Sequence, residues 1–597
     1  MAPPDLIFLH APSVYDFRRH SILYGPVSDL VPSTPVFEMY PIGFTTLAAY
    51  LEQHGLRTRI INLANRMLED ARFDVEAHLR HMDAAAFGID LHWLPHAHGS
   101  IEVARIVKRL HPKRPVIFGG FSSTYFHREL ILYPAVDFVV RGDSTEVPLL
   151  QLMRYLRSGG EAHPGPNSAQ ARTLSEIPNL VWKDAEGGAH VNPLTYSPEN
   201  LDHILLDYSG MLQSAVRYRD LISLKPFPNW LKYPITAALT VRGCRYNCTT
   251  CGGGAGAFRN LHGRQRPAYR EPEQLASDIR RIGQFSSGPV FILGDIRQPG
   301  DDYANRFLDA IAGYEKPVFI ELFDAAPKEF FQRVRRSLPN WTLEISMESH
   351  DEGVRRAFGR PYSTVDIERT IDDALSEGCQ RLDLFFMVGL KEQTYSSVMG
   401  IVDYSRAMLQ RYARQNERRV IPFISPLAPF VDPGSRAFEA PEKHGYRLFA
   451  RTLEEHRQLL LAPSWKYVLN YETQWMNRDQ IVAATYEAGR RLNLAKGEFG
   501  VIDAKTAQAT DRRIAQATGL IREIDDIMTS SDSADRQARL MALKQRTDAS
   551  NLSTVCDKAE LETQILGSRI NFLQAARVVA EVWWLNHTRP TVKNSES

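Results

Sequence analysis

Cys244, Cys248 and Cys251 lie in the stretch VRGCRYNCTTCGGG, residues 241–254, so three of the chain's five cysteines fall within eight residues. Thiolates this close can ligate a metal, pair as a disulfide or act as nucleophiles. A structural zinc site takes four protein ligands, often as two C-x2-C pairs. Here there is one such pair, one further cysteine and no fourth nearby, since Cys379 and Cys556 are far along the chain. The odd count and the low cysteine content disfavour a disulfide framework. Three thiolates on one loop can also hold three irons of a [4Fe-4S] cluster and leave the fourth iron open. Gly252, Gly253 and Gly254 follow at once and leave room beside such a group.

The elements that must position these thiols read as alternating strands and helices. Residues 5–10, 57–64, 84–91, 115–120 and 136–143 are apolar runs of strand length, and residues 42–55 carry a helical pattern ended by Gly55. This alternation predicts an α/β domain with a doubly wound, Rossmann- or flavodoxin-like parallel sheet. The stretch LVWKDAEGGAHVNP reads as an appended hairpin. A second series places strands at 235–241, 289–295, 317–323, 341–348, 381–389 and 419–427. Six βα units predict a partial (β/α)6 TIM-like barrel, whose chemistry gathers at the C-terminal strand ends. The cysteines follow its first strand directly. From about residue 436 the pattern becomes helical, and the tail PTVKNSES reads as disordered. The expected division is 1–200, 201–435 and 436–597. Cys379 and Cys556 read as buried packing residues.

Among the 597 residues 44 % are apolar and 24 % charged, with a formal net charge of +1, which excludes a strongly basic nucleic-acid footprint. No apolar run reaches membrane-spanning length and the N-terminus lacks a signal-peptide pattern, so the cytoplasm is the expected compartment.

The C-x3-C-x2-C spacing after the first strand of a six-unit barrel resembles the radical S-adenosylmethionine (SAM) family. The resemblance implies that Cys244, Cys248 and Cys251 hold a [4Fe-4S] cluster whose open iron takes the amino and carboxylate groups of SAM. FILGD resembles the second-strand motif that meets the methionine amino group, with Gly294 and Asp295 where the family often has Gly-Glu. ISMESHDEGVRRAFGRPYS resembles the fourth-strand stretch, implying that Ser346 and Glu348 reach the SAM ribose or carboxylate. FFMVGLKEQT resembles the fifth-strand glycine motif at Gly389, and SPLAPFVDPGS the end of the sixth strand.

The first domain resembles the cobalamin-binding domain fused ahead of many radical SAM enzymes. The matching residues are Pro41 and Gly43 in a Pro-x-Gly, Gly119 and Gly120 closing VIFGG, and Gly142 and Asp143 closing FVVRGD, with Asp143 in place of the family's Glu. The glycine pair would let backbone approach a bulky nucleotide tail beyond the carboxyl ends of the strands. Many cobalamin proteins supply a cobalt ligand from Asp-x-His-x-x-Gly. Here Asp90 and His92 match but Pro95 replaces the glycine, so cobalamin without a lower histidine is expected and His92 reads as a structural or packing residue. Arg66 is the candidate neighbour of the cobalt lower face.

These resemblances imply a cobalamin- and SAM-dependent C-methyltransferase in which the methyl group passes from SAM, through methylcobalamin, to a carbon of a small natural-product precursor. In a radical version a second SAM is cleaved at the cluster; in a polar version an electron-rich carbon takes the methyl group directly. Glu271 and Glu273 bear on this choice. If Glu273 capped the open iron, SAM could not chelate there; the other reading is that both acids meet the positive end of a helix dipole. The layout most resembles the tryptophan 2-C-methyltransferases of thiopeptide-antibiotic biosynthesis, which implies C2 of L-tryptophan as the target. Other readings are radical methylation of an unactivated sp3 carbon or a phosphinate in antibiotic biosynthesis, oxidative ring formation, and a cobalamin sensor with a structural cluster. A small-molecule substrate and an electron donor are expected, with no nucleic acid and no membrane. The C-terminal helices are expected to cap the barrel mouth, with aromatic walls from Tyr303, Tyr395, Phe430 or Trp475. No motif identifies a catalytic base.

Overall fold

The structure, a computed structural model, describes residues 3–20, 34–206, 208–228, 230, 234–426 and 430–551, together with 576, 577 and 580. Cys556, the last candidate helix apart from 576, 577 and 580, and the C-terminal tail lie outside the described residues.

In the first domain β1 (Leu6–His10), β2 (Thr58–Asn62), β3 (Ala86–Asp90), β4 (Val116–Gly119) and β5 (Phe138–Val140) run parallel in the order β2-β1-β3-β4-β5. Their runs are apolar throughout because both faces are covered. In β1, Leu6 and Phe8 pack with Phe44 and Leu149 on one face, while Ile7 and Leu9 enter a separate core on the other. The strand order reverses between β1 and β3, and a doubly wound sheet opens a crevice beyond the strand ends at such a point. The hairpin of β6 (Leu180–Lys183) and β7 (Ala189–Val191) adds two antiparallel strands at the β5 edge.

The second sheet has β8 (Thr236–Ala238) at one edge. The chain then forms a short antiparallel ladder, β9 (Val241–Arg242) with β10 (Ala268–Tyr269), around the cysteine loop. It continues through β11 (Val290–Ile292), β12 (Val318–Leu322), β13 (Trp341–Glu348), β14 (Leu382–Val388) and β15 (Val420–Pro426). All six main strands are parallel and stand in chain order, with β8 and β15 as the two free edges. This is the expected partial barrel. Side chains alternate across it with period two. Leu343, Ile345 and Met347 join the apolar core, leaving Thr342, Glu344, Ser346 and Glu348 on the other face, which is the barrel interior.

The C-terminal region departs from the all-helical expectation. Helices Arg478–Glu498, Ala504–Met528 and Ser533–Asn551 are present, but β16 (Tyr446–Leu448) and β17 (Tyr471–Thr473) form a small antiparallel sheet. Gly445, at φ 75°, ends the short helix Pro441–His444 and turns the chain into β16. Helix Arg478–Glu498 packs on β15 and on helix Tyr395–Arg414, along the free edge of the barrel. The β16–β17 sheet reaches the strand ends, where the Tyr446 hydroxyl donates to the Gly389 carbonyl at 3.0 Å. The same region binds the first domain: Leu453 N donates to Glu129 Oε2 at 2.7 Å, and Arg457 meets Glu102 at 2.9 Å. Cys379 is buried, as expected. Among the described residues no helix is long and apolar enough to cross a membrane.

Candidate functional site

At the switch point of the first sheet lies a cavity of about 400 Å³. It is lined by six of the residues singled out from the sequence: Pro41, Gly43, Gly119, Gly120, Gly142 and Asp143. Its deep walls are apolar, from Leu6, Phe8, Ile117, Val140 and Leu149. Leu239, Val241, Arg242 and Gly243 line it from the other domain, and Gly243 immediately precedes Cys244. One cavity is therefore shared by the glycine loops of the first domain and the strand that leads into the cysteine loop.

The glycines do different work. A side chain at Gly43 would meet nothing within 4 Å, and at Gly119 only the Val140 carbonyl at 3.8 Å, so both leave open space in the cavity wall. Gly120 instead packs on protein: at φ 115° it lies against the loop after β3, and a Cβ there would stand 2.4 Å from His92 Cα. His92 lines the cavity as well. Its Nδ1 lies 2.6 Å from Asp90 Oδ2, while buried His10 approaches the same carboxylate at 3.1 Å. Burial favours a neutral Asp90, but the two imidazoles outweigh it and hold the carboxyl far below its ordinary value.

Asp143 is engaged by Arg264, whose Nη2 lies 3.1 Å from Oδ1 and whose Nε pairs with Oδ2. Arg242 reaches Glu146 Oε1 at 2.7 Å and Ser144 Oγ at 2.8 Å. The segment after β5 thus binds two arginines of the barrel domain. The sequence reading missed both arginines; acids clustered in GDSTE beside a domain boundary were the available signal. Arg66 does not enter the cavity. It pairs with Asp220 and donates to Ser223 Oγ at 3.3 Å, tying the first domain to the connecting segment.

The cysteine loop is pinned on two sides. Thr249 N donates to the Phe358 carbonyl at 2.7 Å, and Gly252 N to Asp432 Oδ2 at 3.0 Å. Asp432 also accepts from Trp93 Nε1 of the first domain at 3.2 Å. Among the described residues, the one group of three His, Cys, Asp or Glu side chains with donor atoms within 4.8 Å of each other is His10, Asp90 and His96. The three sulfurs are therefore spread more widely than the roughly 3.8 Å separations implied by tetrahedral Zn–S bonds. Burial pushes the Cys248 thiol up to about 11; Arg360 favours its ionisation, while Glu348 and Cys244 oppose it.

Glu273 is not among the charges that act on the Cys248 and Cys251 thiols. It is exposed, in the first turn of helix Pro272–Phe285, and pairs with Arg306 at 2.8 Å; Glu271 joins the same arginine at 3.0 Å. The helix-start reading of both acids describes this geometry.

Inside the barrel Gly294, at φ 84°, donates its N–H to Glu321 Oε2 at 2.8 Å. Asp295 turns to Arg297, with contacts of 3.0 and 2.6 Å. The register breaks between Ser346 and Glu348, and Glu348 takes φ 66°. Glu348 is 2 % exposed, lies 3.5 Å from Arg360 Nε, and its Oε2 has no hydrogen-bond partner among the described residues. Burial pushes it up to about 7 against the pull of Arg360. The Ser346 carbonyl accepts from the Tyr362 hydroxyl. Gly389, at φ 100°, donates to Gln393 Oε1 at 2.8 Å. The four aromatic candidates do not form one wall: Tyr303 packs on Tyr269, Phe430 on His456 and Trp475 against Gly445, while Tyr395 is exposed at a helix start.

Residues 30–149 match the family described as B12 binding domain, and residues 239–404 match the Radical SAM superfamily. The chain therefore joins a B12-binding domain to a radical SAM domain and is an enzyme of the cobalamin-dependent radical SAM class. Its cofactors are cobalamin, a [4Fe-4S] cluster and SAM. The chain is similar in fold to the radical S-adenosylmethionine methyltransferase TsrM from Kitasatospora setae, solved with tryptophan and a SAM analogue bound. That match has 14 % identity, covers 74 % of this chain and 76 % of that one, and has a TM-score of 0.50. The apo cobalamin-dependent S-adenosylmethionine radical enzyme OxsB matches with 11 % identity over 98 % of this chain and 80 % of its own, also with a TM-score of 0.50. Among curated proteins none matches the sequence.

Proposed function

We propose that the protein is a C-methyltransferase that moves a methyl group from SAM to a carbon of a small natural-product precursor, and that this carbon is C2 of L-tryptophan. The observation that carries the reading is the shared cavity, bounded by Gly43 and Gly119 on one side and by Val241, Arg242 and Gly243, next to Cys244, on the other. A methyl carrier held there lies beside the cysteine loop. The tryptophan assignment is supported by likeness of fold to a methyltransferase solved with tryptophan.

The residues fit the three cofactors. Gly43 and Gly119 leave space that a side chain would fill, and apolar walls suit a nucleotide tail. The three thiols suit a cluster with one open iron. Glu348 Oε2, buried and without a partner, suits a hydroxyl donor such as a ribose. Bound cobalamin supplies a methyl carrier and the cluster an electron site. The chain supplies positioning: Gly119 admits the tail, Arg242 and Arg264 hold the segment after β5 against the barrel, and Asp432 fixes Gly252 of the cysteine loop. We place the enzyme in the cytoplasm with a separate electron donor.

A second reading, radical methylation of an unactivated carbon, is favoured by one observation. Glu273 is occupied by Arg306, which leaves the open iron to SAM. The test reconstitutes the full chain anaerobically with iron, sulfide and cobalamin, then adds SAM, a reductant and tryptophan. Methylated tryptophan with S-adenosylhomocysteine and no 5′-deoxyadenosine supports the polar route. Equal amounts of the two nucleosides support the radical route. Formation of neither nucleoside overturns both.

A further inference from the structure

The strands of the first domain bring three ligand-type side chains together behind the shared cavity. His10 ends β1 and Asp90 ends β3, its parallel neighbour, so the register sets the two side by side at the carboxyl ends of the strands. His96 closes the single turn Leu94–His96 that leads into helix Ala97–Leu110. One donor atom from each lies within 4.8 Å of the other two. His10 is 0 %, Asp90 2 % and His96 1 % exposed.

The hydrogen bonds fix which ring atoms are left over. His10 Nε2 faces the Phe37 carbonyl at 3.0 Å, and His96 Nδ1 faces the Ala11 carbonyl at 3.1 Å. A carbonyl only accepts, so both of these nitrogens carry a hydrogen. In the neutral rings, His10 Nδ1 and His96 Nε2 are then lone pairs. His10 Nδ1 stands 3.1 Å from each oxygen of Asp90, an acceptor that repels a lone pair. His96 Nε2 makes no hydrogen bond among the described residues, although the residue is 1 % exposed. Its ring centre lies 4.8 Å from that of His10.

A proton on His10 Nδ1 would relieve the first conflict and leave His96 buried with an idle nitrogen. A metal ion resolves both. A metal-bound histidine donates its other ring N–H to a carbonyl or carboxylate, and a ligating carboxylate is itself hydrogen-bonded. All three residues have that support: Phe37 for His10, Ala11 for His96, and His92 Nδ1, 2.6 Å from Asp90 Oδ2, for Asp90. The 3.1 Å spacing of His10 and Asp90 is also the edge between two ligands each about 2.0–2.2 Å from one ion. Two imidazoles and a carboxylate are a zinc ligand set. We propose that His10 Nδ1, one Asp90 oxygen and His96 Nε2 bind a zinc ion, with water in the fourth place. The ion joins β1, β3 and the start of the helix, and it fixes Asp90, which with His92 lines the shared cavity. This zinc site is separate from the cysteine loop and independent of methyl transfer.

The test uses the full chain loaded with cluster and cobalamin, dialysed to equilibrium against buffered free zinc, with zinc per chain read by elemental analysis. The unaltered chain should bind one zinc. Its zinc X-ray absorption should show nitrogen and oxygen neighbours at about 2.0–2.1 Å and no sulfur at about 2.3 Å. His96→Gln and His10→Gln should each weaken zinc about 100-fold or more while iron and cobalamin contents persist. Sulfur neighbours would place the zinc in the cysteine loop and overturn the assignment. Zinc affinity unchanged in His96→Gln overturns it too. No stoichiometric zinc in the unaltered chain leaves an imidazolium–carboxylate pair only and also overturns it. Where a variant fails to fold, the absorption spectrum of the unaltered chain decides alone.

Discussion

Arg242 of the barrel domain and Glu146 of the B12-binding domain form a buried ion pair at the wall of the shared cavity, with Nη2 2.7 Å from Oε1. The Glu146 side chain is fully buried and Arg242 is 11 % exposed. Removing one partner of such a pair leaves an uncompensated buried charge, which costs about 3–5 kcal/mol. Arg242→Ala should therefore lower the urea midpoint of the full chain and release cobalamin, read from its visible absorbance during gel filtration. Unchanged retention would show that the pair does not shape the cavity.

The same pair sets an acid limit. Burial favours the neutral form of Glu146, but Arg242 and His203 outweigh it and hold the carboxyl down at about 2. An unfolded glutamate titrates at about 4.3. The folded value is the lower one, so the stabilisation is complete above about pH 4.3 and fades as pH falls towards 2. Urea midpoints should fall through that window in the unaltered protein and fall less steeply in Arg242→Ala.

Two adjacent glycines should separate folding from binding. At Gly120 a Cβ would collide with the His92 backbone and φ is 115°, so Gly120→Ala should destabilise the first domain by about 1–3 kcal/mol or more. At Gly119 the nearest atom is 3.8 Å away. Gly119→Ala should leave the thermal midpoint near its original value while weakening cobalamin binding severalfold, as titration with hydroxocobalamin would report.

Much of this was legible in the sequence, for identifiable reasons. The six barrel strands are apolar runs bounded by turn residues, and β13 falls at the expected residues 341–348. Pro41, Gly43, Gly119, Gly120, Gly142 and Asp143 are local motif residues, and the fold brings all six to one cavity. What local pattern could not carry is pairing between distant residues. Asp143 answers to Arg264, while Arg66 is drawn away by Asp220. The β16–β17 sheet was hidden because its strands are three residues each and its pairing spans the helix Leu453–Leu459.

Each of Cys244, Cys248 and Cys251 changed to Ala should abolish the cluster in anaerobically reconstituted protein, measured as iron and acid-labile sulfide per chain. The cobalamin content should persist, because the cavity is walled mainly by the other domain. Full iron retention in any of the three would remove that cysteine from the ligand set.

The most direct test of methyl transfer through the shared cavity uses SAM with a deuterated methyl group. The reconstituted full chain, with reductant and tryptophan, should yield a methylated product carrying the intact CD3 group, and omission of cobalamin should abolish it. Product formed equally well without cobalamin, or SAM left unconsumed with every cofactor present, would contradict the account.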